Sequence, residues 1–230
     1  ILWPEPGTVV GNCLVVQATS SAGQNAAKAL IFDNNLVGAA SEFPVWTFSA
    51  WVNPSASNAA RIVWQAGRTN GGNYGMHTIT IEGDESLRYN VVTSVNAGGG
   101  SERNTFWETA ANTITNGSWN HIVVKVTGTI GTLSTTLQPT FYINGTSRSF
   151  DGGSSPSSTP YNNLPNGNTG KSSFRSHSGW TLTPPVIIGG DLDNGNFEEY
   201  YGAIDEVAVW NSHLTNTQVT SIYNSGAPNN

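Results

Sequence analysis

Acidic, thiol and hydroxyl side chains are the first residues of this 230-residue sequence to be considered for chemistry. The run Glu82-Gly-Asp-Glu85 lies between two alternating segments, a position typical of a turn. Glu198 and Glu199 are adjacent, so on a strand their carboxylates would point to opposite faces. Cys13 is the only cysteine, which excludes an internal disulfide and a zinc site built from several thiolates. Since no Gly-x-Ser-x-Gly nucleophile turn is present either, the sequence predicts no catalytic set.

Aromatic residues beside loops form the second group. The chain contains eight tryptophans, of which Trp46, Trp119 and Trp210 fall in strand patterns and are predicted to lie in the core. Exposed rings can stack on sugars while arginines hold hydroxyl groups, and loop rims are common binding sites. The predicted ligand-binding residues at these rims are Trp107, Trp180, Arg103, Arg175, Tyr161 and Tyr74. Core packing of each single ring is the open alternative.

A series of strands must position these residues. Alternating or apolar runs bounded by turn residues recur at roughly ten-residue spacing without helices between them, which is typical of an antiparallel sandwich. The runs are 46–53, 61–67, 75–82, 87–95, 119–126, 140–143, 146–150 and 185–190. Asn144-Gly145 joins two of them and predicts a tight hairpin, because both turn positions need positive φ. The stretches 96–104 and 151–180 are predicted to be loops.

The segment 201–226 combines a strand with a helix. Period-two alternation predicts one strand face made of Ala203, Asp205, Val207 and Val209, with Ile204, Glu206, Ala208 and Trp210 on the opposite face. Helical spacing follows, with the capping-box pair Thr215 and Gln218 and the staple pair Leu214 and Val219. The sequence therefore predicts one short helix at the end of an all-β chain.

Charge and hydropathy exclude several classes of partner. The net charge is −6 and no Lys/Arg cluster is present, so a nucleic-acid partner is not expected. No apolar run is long enough to predict a membrane span. The sequence opens at Ile1 without methionine, as expected for a processed chain or a piece of a longer one.

Five motifs in a fixed order carry a family resemblance. They are Phe48-Ser-Ala-Trp-Val-Asn-Pro54, Trp119-Asn-His-Ile-Val-Val124, Phe141-Tyr-Ile-Asn-Gly145, Ile187-Ile-Gly189 and Gly202-Ala-Ile-Asp-Glu-Val-Ala-Val-Trp210. Together they resemble the laminin-G-like jelly rolls of the concanavalin A-like lectin/glucanase superfamily. The resemblance implies an all-β, two-sheet antiparallel jelly-roll sandwich with a short C-terminal helix. The expected organisation is an N-terminal extension or first strand at 1–28 and a jelly-roll domain at 29–230, with a long loop insertion at 151–180.

The resemblance also carries expectations about catalysis. Glucanases of the superfamily place two glutamates and an aspartate alternately along one strand, and this sequence has no such string. The lyase branch uses Gln or His with Arg and Tyr; His77, Arg88 and Tyr89 are close in sequence but do not match that pattern. His121 stands where the family has a structural histidine.

A structural Ca²⁺ is the cofactor that the resemblance implies. Members of the superfamily often hold this ion with an aspartate of the final strand and with backbone carbonyls, which supply most of the oxygens that a hard cation needs. The matching residue is Asp205, and Asp33 is a second candidate ligand. The open alternative for Asp205 is a simple hydrogen bond to a neighbouring strand.

Together these observations favour a non-catalytic glycan-binding or adhesion module of an extracellular or virion-surface protein. Its partners would be a glycan or surface polysaccharide, and other subunits of a larger assembly. Two alternatives stay open: a glycan-cleaving enzyme (hydrolase or lyase) of the same superfamily, and a purely structural assembly domain.

Overall fold

Twelve strands and one helix form the described part of the chain. The computed structural model describes residues 14–16, 30–32, 45–56, 59–70, 73–94, 102–127, 138–149, 186–190, 200–210 and 212–223. The strands are β1 (Leu14–Val16), β2 (Leu30–Phe32), β3 (Val45–Pro54), β4 (Arg61–Asn70), β5 (Asn73–Ile81), β6 (Leu87–Ser94), β7 (Glu102–Glu108), β8 (Asn120–Thr127), β9 (Gln138–Ile143), β10 (Thr146–Arg148), β11 (Val186–Ile188) and β12 (Gly202–Trp210), and the helix is α1 (Asn216–Tyr223).

The strands pair into two six-stranded antiparallel sheets. Sheet A has the order β1-β12-β3-β8-β9-β10, and sheet B has the order β2-β11-β4-β5-β6-β7. The predicted all-β, two-sheet antiparallel jelly-roll sandwich with a short C-terminal helix is confirmed. The predicted loop insertion at 151–180 lies outside the described residues. Within the described part of the chain, no helix has the length and apolarity needed to cross a membrane.

The core lies between the two sheets and is rich in aromatic rings. Trp46 of β3 in sheet A meets Trp64 of β4 and Tyr89 of β6 in sheet B, at ring-centroid distances of 5.5 and 5.6 Å. Such offset and edge-to-face contacts add to the burial of large apolar surfaces. Trp46 is therefore a core residue as predicted. The other two tryptophans of that prediction, Trp119 and Trp210, are only half-buried.

Helix α1 packs on the face of sheet A that is turned away from this core. Leu214, just before the helix, and Val219 within it form a second buried cluster with Val123 and Tyr142 of the sheet. The predicted capping box is confirmed: the Thr215 backbone N–H donates to Gln218 Oε1 over 2.8 Å, and the Gln218 N–H donates to Thr215 Oγ1 over 3.2 Å. An isolated helix of eight residues is not stable in water, so its contacts with sheet A hold it in place.

Two local differences from the predicted pattern matter for the site. Strand β7 begins at Glu102, inside the predicted loop 96–104, because Glu102 to Asn104 pair with β6. In β12 a bulge lies between Asp205 and Ala208, and Glu206 has φ 48°. The bulge resets the alternation, so that Ile204 and Val207 both pack on the core. The predicted placement of Asp205 and Val207 on one face is therefore wrong.

Candidate functional site

The outer face of sheet B, which is turned away from the core, carries the polar side chains of three consecutive strands. Alternation directs Ile79, Tyr89 and Trp107 into the core, and therefore directs their neighbours outward. The antiparallel register places Thr80 of β5, Arg88 of β6 and Glu108 of β7 side by side in one row. The next row along the face contains Thr78, Asn90 and Phe106.

Arg88 joins two glutamates on this face, and we call Glu82, Arg88 and Glu108 the acid–arginine cluster. Arg88 Nη1 lies 3.0 Å from Glu82 Oε2, and Arg88 Nη2 lies 3.0 Å from Glu108 Oε2. The side chains of Arg88, Glu82 and Glu108 are 28%, 14% and 16% exposed, respectively, so they remain accessible at the surface. Partial exposure moderates the strength of each ion pair, but one guanidinium shared by two carboxylates fixes the geometry of all three groups.

Hydroxyl groups hold the remaining carboxylate oxygens of the cluster. Thr80 Oγ1 donates to Glu82 Oε1 over 2.7 Å, and the Ser86 hydroxyl donates to Glu108 Oε1. Every carboxylate oxygen of the two glutamates therefore has a hydrogen-bond donor. Burial raises the pKa of Glu82 above its ordinary value, and the hydrogen bond from Thr80 and the charge of Arg88 act in the opposite direction.

An aromatic ring and an amide extend the cluster along the outer face of sheet B. The Arg88 guanidinium carbon lies 4.3 Å from the centroid of the Phe106 ring, a cation–π contact. Asn90 Oδ1 and Arg88 Nε are both buried atoms, and neither has a hydrogen-bond partner within the described residues. This part of the face thus combines an apolar ring and fixed charges with one acceptor and one donor that are covered and have no partner among the described residues.

A buried arginine fixes the loop end from which Glu82 projects. Arg61 is fully buried and its Nη2 donates to the Glu82 backbone carbonyl over 3.2 Å. Its Nη1 donates to Asn116 Oδ1 over 3.0 Å and to the Ser55 carbonyl, so a single side chain connects three chain segments. Desolvation by burial lowers the pKa of Arg61, against the opposing charge of Glu85 at 3.6 Å. These contacts make the base of the cluster rigid.

The ligand-binding residues predicted at the loop rims do not form a site within the described part of the chain. Trp107 is 2% exposed and stacks on Tyr89 in the core at a centroid distance of 5.6 Å. A buried ring cannot offer a face to a sugar, so the prediction of Trp107 as a binding platform is wrong. Arg103 lies on β7 and Tyr74 lies on β5, at positions where the side chains are not described. Trp180, Arg175 and Tyr161 lie outside the described residues.

The residues compared with the lyase branch, His77, Arg88 and Tyr89, lie on two different faces of sheet B. The hydroxyl of Tyr89 lies 2.7 Å from His77 Nδ1, and both side chains are buried in the core region, where the His77 ring meets Trp46. Arg88 points to the outer face of sheet B, away from both. The three side chains therefore cannot act on one substrate.

His121 has the surroundings of a structural residue. Its Nε2 lies 2.8 Å from Ser49 Oγ, and its ring stacks on Tyr223 and makes a tilted contact with Trp51 beneath α1. The ring is only 1% exposed, and this burial lowers its pKa to about 4. The neutral imidazole is thus the form that suits the folded protein.

The metal candidate Asp205 lies on the helix-side face of sheet A, directly opposite Trp51 of β3. Its Oδ1 accepts the N–H of Glu206 over 2.8 Å, at the bulge of β12. No group of three or more His, Cys, Asp or Glu side chains that could hold a metal occurs within the described ranges. The second candidate, Asp33, lies outside them.

The acid–arginine cluster was not found from the sequence because it is a product of strand register. Glu82, Arg88 and Glu108 are six and twenty residues apart along the chain, and only the pairing of β5, β6 and β7 brings them together. The available signal was parity: Glu82, Arg88 and Glu108 each lie two positions from an outward-facing strand residue, namely Thr80, Asn90 and Phe106. Because the sequence pattern predicted no strand at 102–108, that signal was not available for Glu108.

Two kinds of comparison relate this chain to known proteins. A family model described as "Concanavalin A-like lectin/glucanases superfamily" matches residues 24–175. Among solved structures, the CBM40 of the Ruminococcus gnavus IT-sialidase, bound to alpha2,3 sialyllactose, superimposes with a TM-score of 0.50 at 13% identity, covering 78% of this chain and 82% of that chain. A heptameric SAP-like pentraxin from Limulus polyphemus gives a TM-score of 0.48 at 17% identity, covering 79% of this chain and 70% of that chain. No curated protein matches this chain closely enough to support a relationship.

Proposed function

Because the chain belongs to the concanavalin A-like lectin/glucanases superfamily, we propose that it is a non-catalytic glycan-binding module of an extracellular or virion-surface protein. The observation that carries the proposal is the outer face of sheet B, where the acid–arginine cluster adjoins the Phe106 ring and Asn90. Sugar recognition uses the same combination of an aromatic or apolar surface with a few fixed polar groups. The sialidase CBM40 supports the fold alone, and its ligand is a property of that protein.

Glycan binding fits the cluster better than glycan cleavage. A glycosidase needs one carboxylic acid to protonate the leaving oxygen and a second carboxylate to act as nucleophile or base. Here Glu82 and Glu108 share Arg88, and a hydroxyl donates to the remaining oxygen of each. Both carboxylates are therefore committed to holding the surface in shape, and a sugar would contact groups that are already fixed.

A glycan array with matched arginine variants tests the proposal. Arg88→Met removes the centre of the cluster, whereas Arg148→Met removes an exposed arginine from β10 at the far edge of sheet A. We expect Arg88→Met to weaken binding at least tenfold, about 1.4 kcal/mol, and Arg148→Met to leave affinity unchanged within a factor of two. Phe106→Ala, which removes the ring without changing charge, should also weaken binding. Equal loss in both arginine variants, with unchanged melting temperatures, would refute this location.

Glycan cleavage remains the second candidate, because the cluster puts two carboxylates on one face and burial raises the pKa of Glu82. A raised pKa is the property expected of a general acid. The discriminating measurement is release of reducing ends or unsaturated products from a polysaccharide panel. Activity that disappears in both Glu82→Gln and Glu108→Gln would replace the binding proposal with an enzymatic one. We expect no product release from the wild-type chain.

We also propose a structural Ca²⁺ held with the help of Asp205 and Asp33. The family position of Asp205 and its placement at the β12 bulge, where a carboxylate lies beside kinked backbone, support this proposal. Among the described residues Asp205 supplies one carboxylate, so backbone carbonyls would have to complete the coordination. A melting temperature raised by Ca²⁺, lowered by chelator and insensitive to both in Asp205→Asn is the expected result. If neither Ca²⁺ nor chelator shifts the melting temperature of the wild-type chain, the proposed Ca²⁺ site is refuted.

A further inference from the structure

Among the described residues, carboxylates outnumber cations around the acid–arginine cluster. Asp84 Oδ1 accepts the backbone N–H of Ser86 over 3.1 Å, and the hydroxyl of the same serine donates to Glu108, so Asp84 belongs to the same hydrogen-bonded network. Three carboxylates and one guanidinium leave this network with a net charge of −2. Both Nη atoms of Arg88 are already committed to carboxylates. An anionic ligand approaching this surface would meet like charge, and the arginine would have to break an ion pair to receive it.

Two polar atoms of this surface that have no hydrogen-bond partner define what a ligand must bring. Asn90 Oδ1 is a buried acceptor and Arg88 Nε a buried donor, and each is without a partner in the described part of the chain. The two residues are two positions apart on β6, on the same face and about 7 Å apart along the strand. A hydroxyl group both donates and accepts, whereas an ionised carboxylate or sulfate only accepts.

We propose, building on the glycan-binding function above, that the outer face of sheet B selects uncharged glycans over sialylated, uronic-acid or sulfated ones. Sugar hydroxyls donate to the carboxylates of Glu82 and Glu108. Asn90 Oδ1 and Arg88 Nε are covered in the unliganded protein, and a rotation of the two side chains on binding lets each of them pair with a further sugar hydroxyl. The Phe106 ring supplies the apolar contact for the carbon face of the sugar. Acidic sugars are excluded by the net charge of the network and by the small number of unpaired donors among its described residues.

Matched pairs of glycans test the selectivity. Neutral oligosaccharides are compared with their sialylated or sulfated derivatives on one array, and the strongest pair is then measured by calorimetry at low and moderate salt. We expect the neutral member of each bound pair to bind at least tenfold more tightly. Its affinity should change less than twofold with salt, because no ion pair forms on binding.

Two variants connect the result to this surface. Asn90→Ala removes the unpartnered acceptor and should weaken neutral-glycan binding at least fivefold, while Ser147→Ala on the exposed edge strand β10 should have no effect. The double variant Glu82→Gln, Glu108→Gln removes two negative charges, so it should narrow the preference for the neutral member of a pair.

The outcomes separate the two proposals. Binding that is lost in Arg88→Met but favours the acidic member of each pair overturns the selectivity and leaves the glycan-binding function intact. An absence of binding to every glycan, or binding that is indifferent to both Arg88→Met and Asn90→Ala, overturns the function assigned to this face and the selectivity with it.

Discussion

Replacing Gly145 with alanine tests how α1 is held against sheet A. Gly145 has φ +73° in the β9–β10 turn, and a Cβ atom added there would lie 2.7 Å from Cδ1 of the Tyr223 ring. Tyr223 is the last residue of α1, and its ring stacks on Trp51 and His121 with centroids 5.8 Å away in each case. The new methyl group would therefore push the ring out of both stacks.

Gly117 provides a matched control for the backbone. Its φ is +70°, nearly equal to that of Gly145, but a Cβ atom added there would meet nothing within 4 Å. Gly117→Ala should cost only the left-handed strain of alanine, about 1 kcal/mol. Gly145→Ala should cost the same strain plus the two aromatic contacts, at about 0.5–1.5 kcal/mol each. The expected losses of unfolding free energy are about 1 and about 2–4 kcal/mol.

Urea unfolding followed by tryptophan fluorescence measures both variants under one protocol. The slope of free energy against urea should be unchanged, so that the midpoints report stability alone. In a Tyr223→Ala background the ring is absent, and Gly145→Ala should then cost about 1 kcal/mol, as Gly117→Ala does. Equal losses for the two glycine variants in the wild-type background would refute the contact between the turn and α1.

Three further predictions concern backbone, titration and capping. Gly202→Ala would place a Cβ atom 2.1 Å from the Asn53 carbonyl oxygen at φ +139°, so we expect a loss of about 3 kcal/mol or more, measured as a low yield of folded protein or a lowered melting temperature. Burial lowers the pKa of His121 from 6.5 to about 4, so its contribution to stability is complete above pH 6.5 and is lost as the pH falls towards 4. The loss should reach about 3 kcal/mol, and it should be missing from His121→Asn when the two unfolding curves are compared across that range. Thr215→Ala removes the capping box of α1 and should cost about 1 kcal/mol in urea unfolding, while the exposed Thr220→Ala should cost less than half as much.

Elements with local signals could be predicted from the sequence. Asn144 and Gly145 have φ values of 52° and 73°, the two positive angles that an Asn-Gly hairpin turn requires. The capping box of α1 likewise depends on residues three positions apart. In both cases the chemistry that fixes the structure lies within a few residues, so no knowledge of the remaining fold is needed.

The bulge in β12 could not be predicted, because its cause is packing against another part of the fold and not an interaction between residues close in sequence. Alternation from Ala203 to Trp210 reads as a continuous strand, and Glu206 carries no glycine-like signal for positive φ. The strand nevertheless has to pair with β3 on both sides of the bulge while Ile204 and Val207 both reach the core. Packing against a partner sheet therefore overrides the two-residue period.

The missed cluster and the wrong prediction for Trp107 have one physical cause. Because side chains of a strand alternate, the register of β7 on β6 that buries Trp107 against Tyr89 also turns Glu108 outward beside Arg88. A slip of one residue in the β6–β7 register would expose the indole of Trp107 and bury the carboxylate of Glu108 without Arg88. Burying an unpaired carboxylate would lower the free energy of unfolding by several kcal/mol. The large aromatic ring thus fixes the position of the glutamate on the opposite face. Trp107 contributes to the outer face of sheet B by holding β7 in register, and the surface that would meet a sugar consists of its neighbours Phe106 and Glu108.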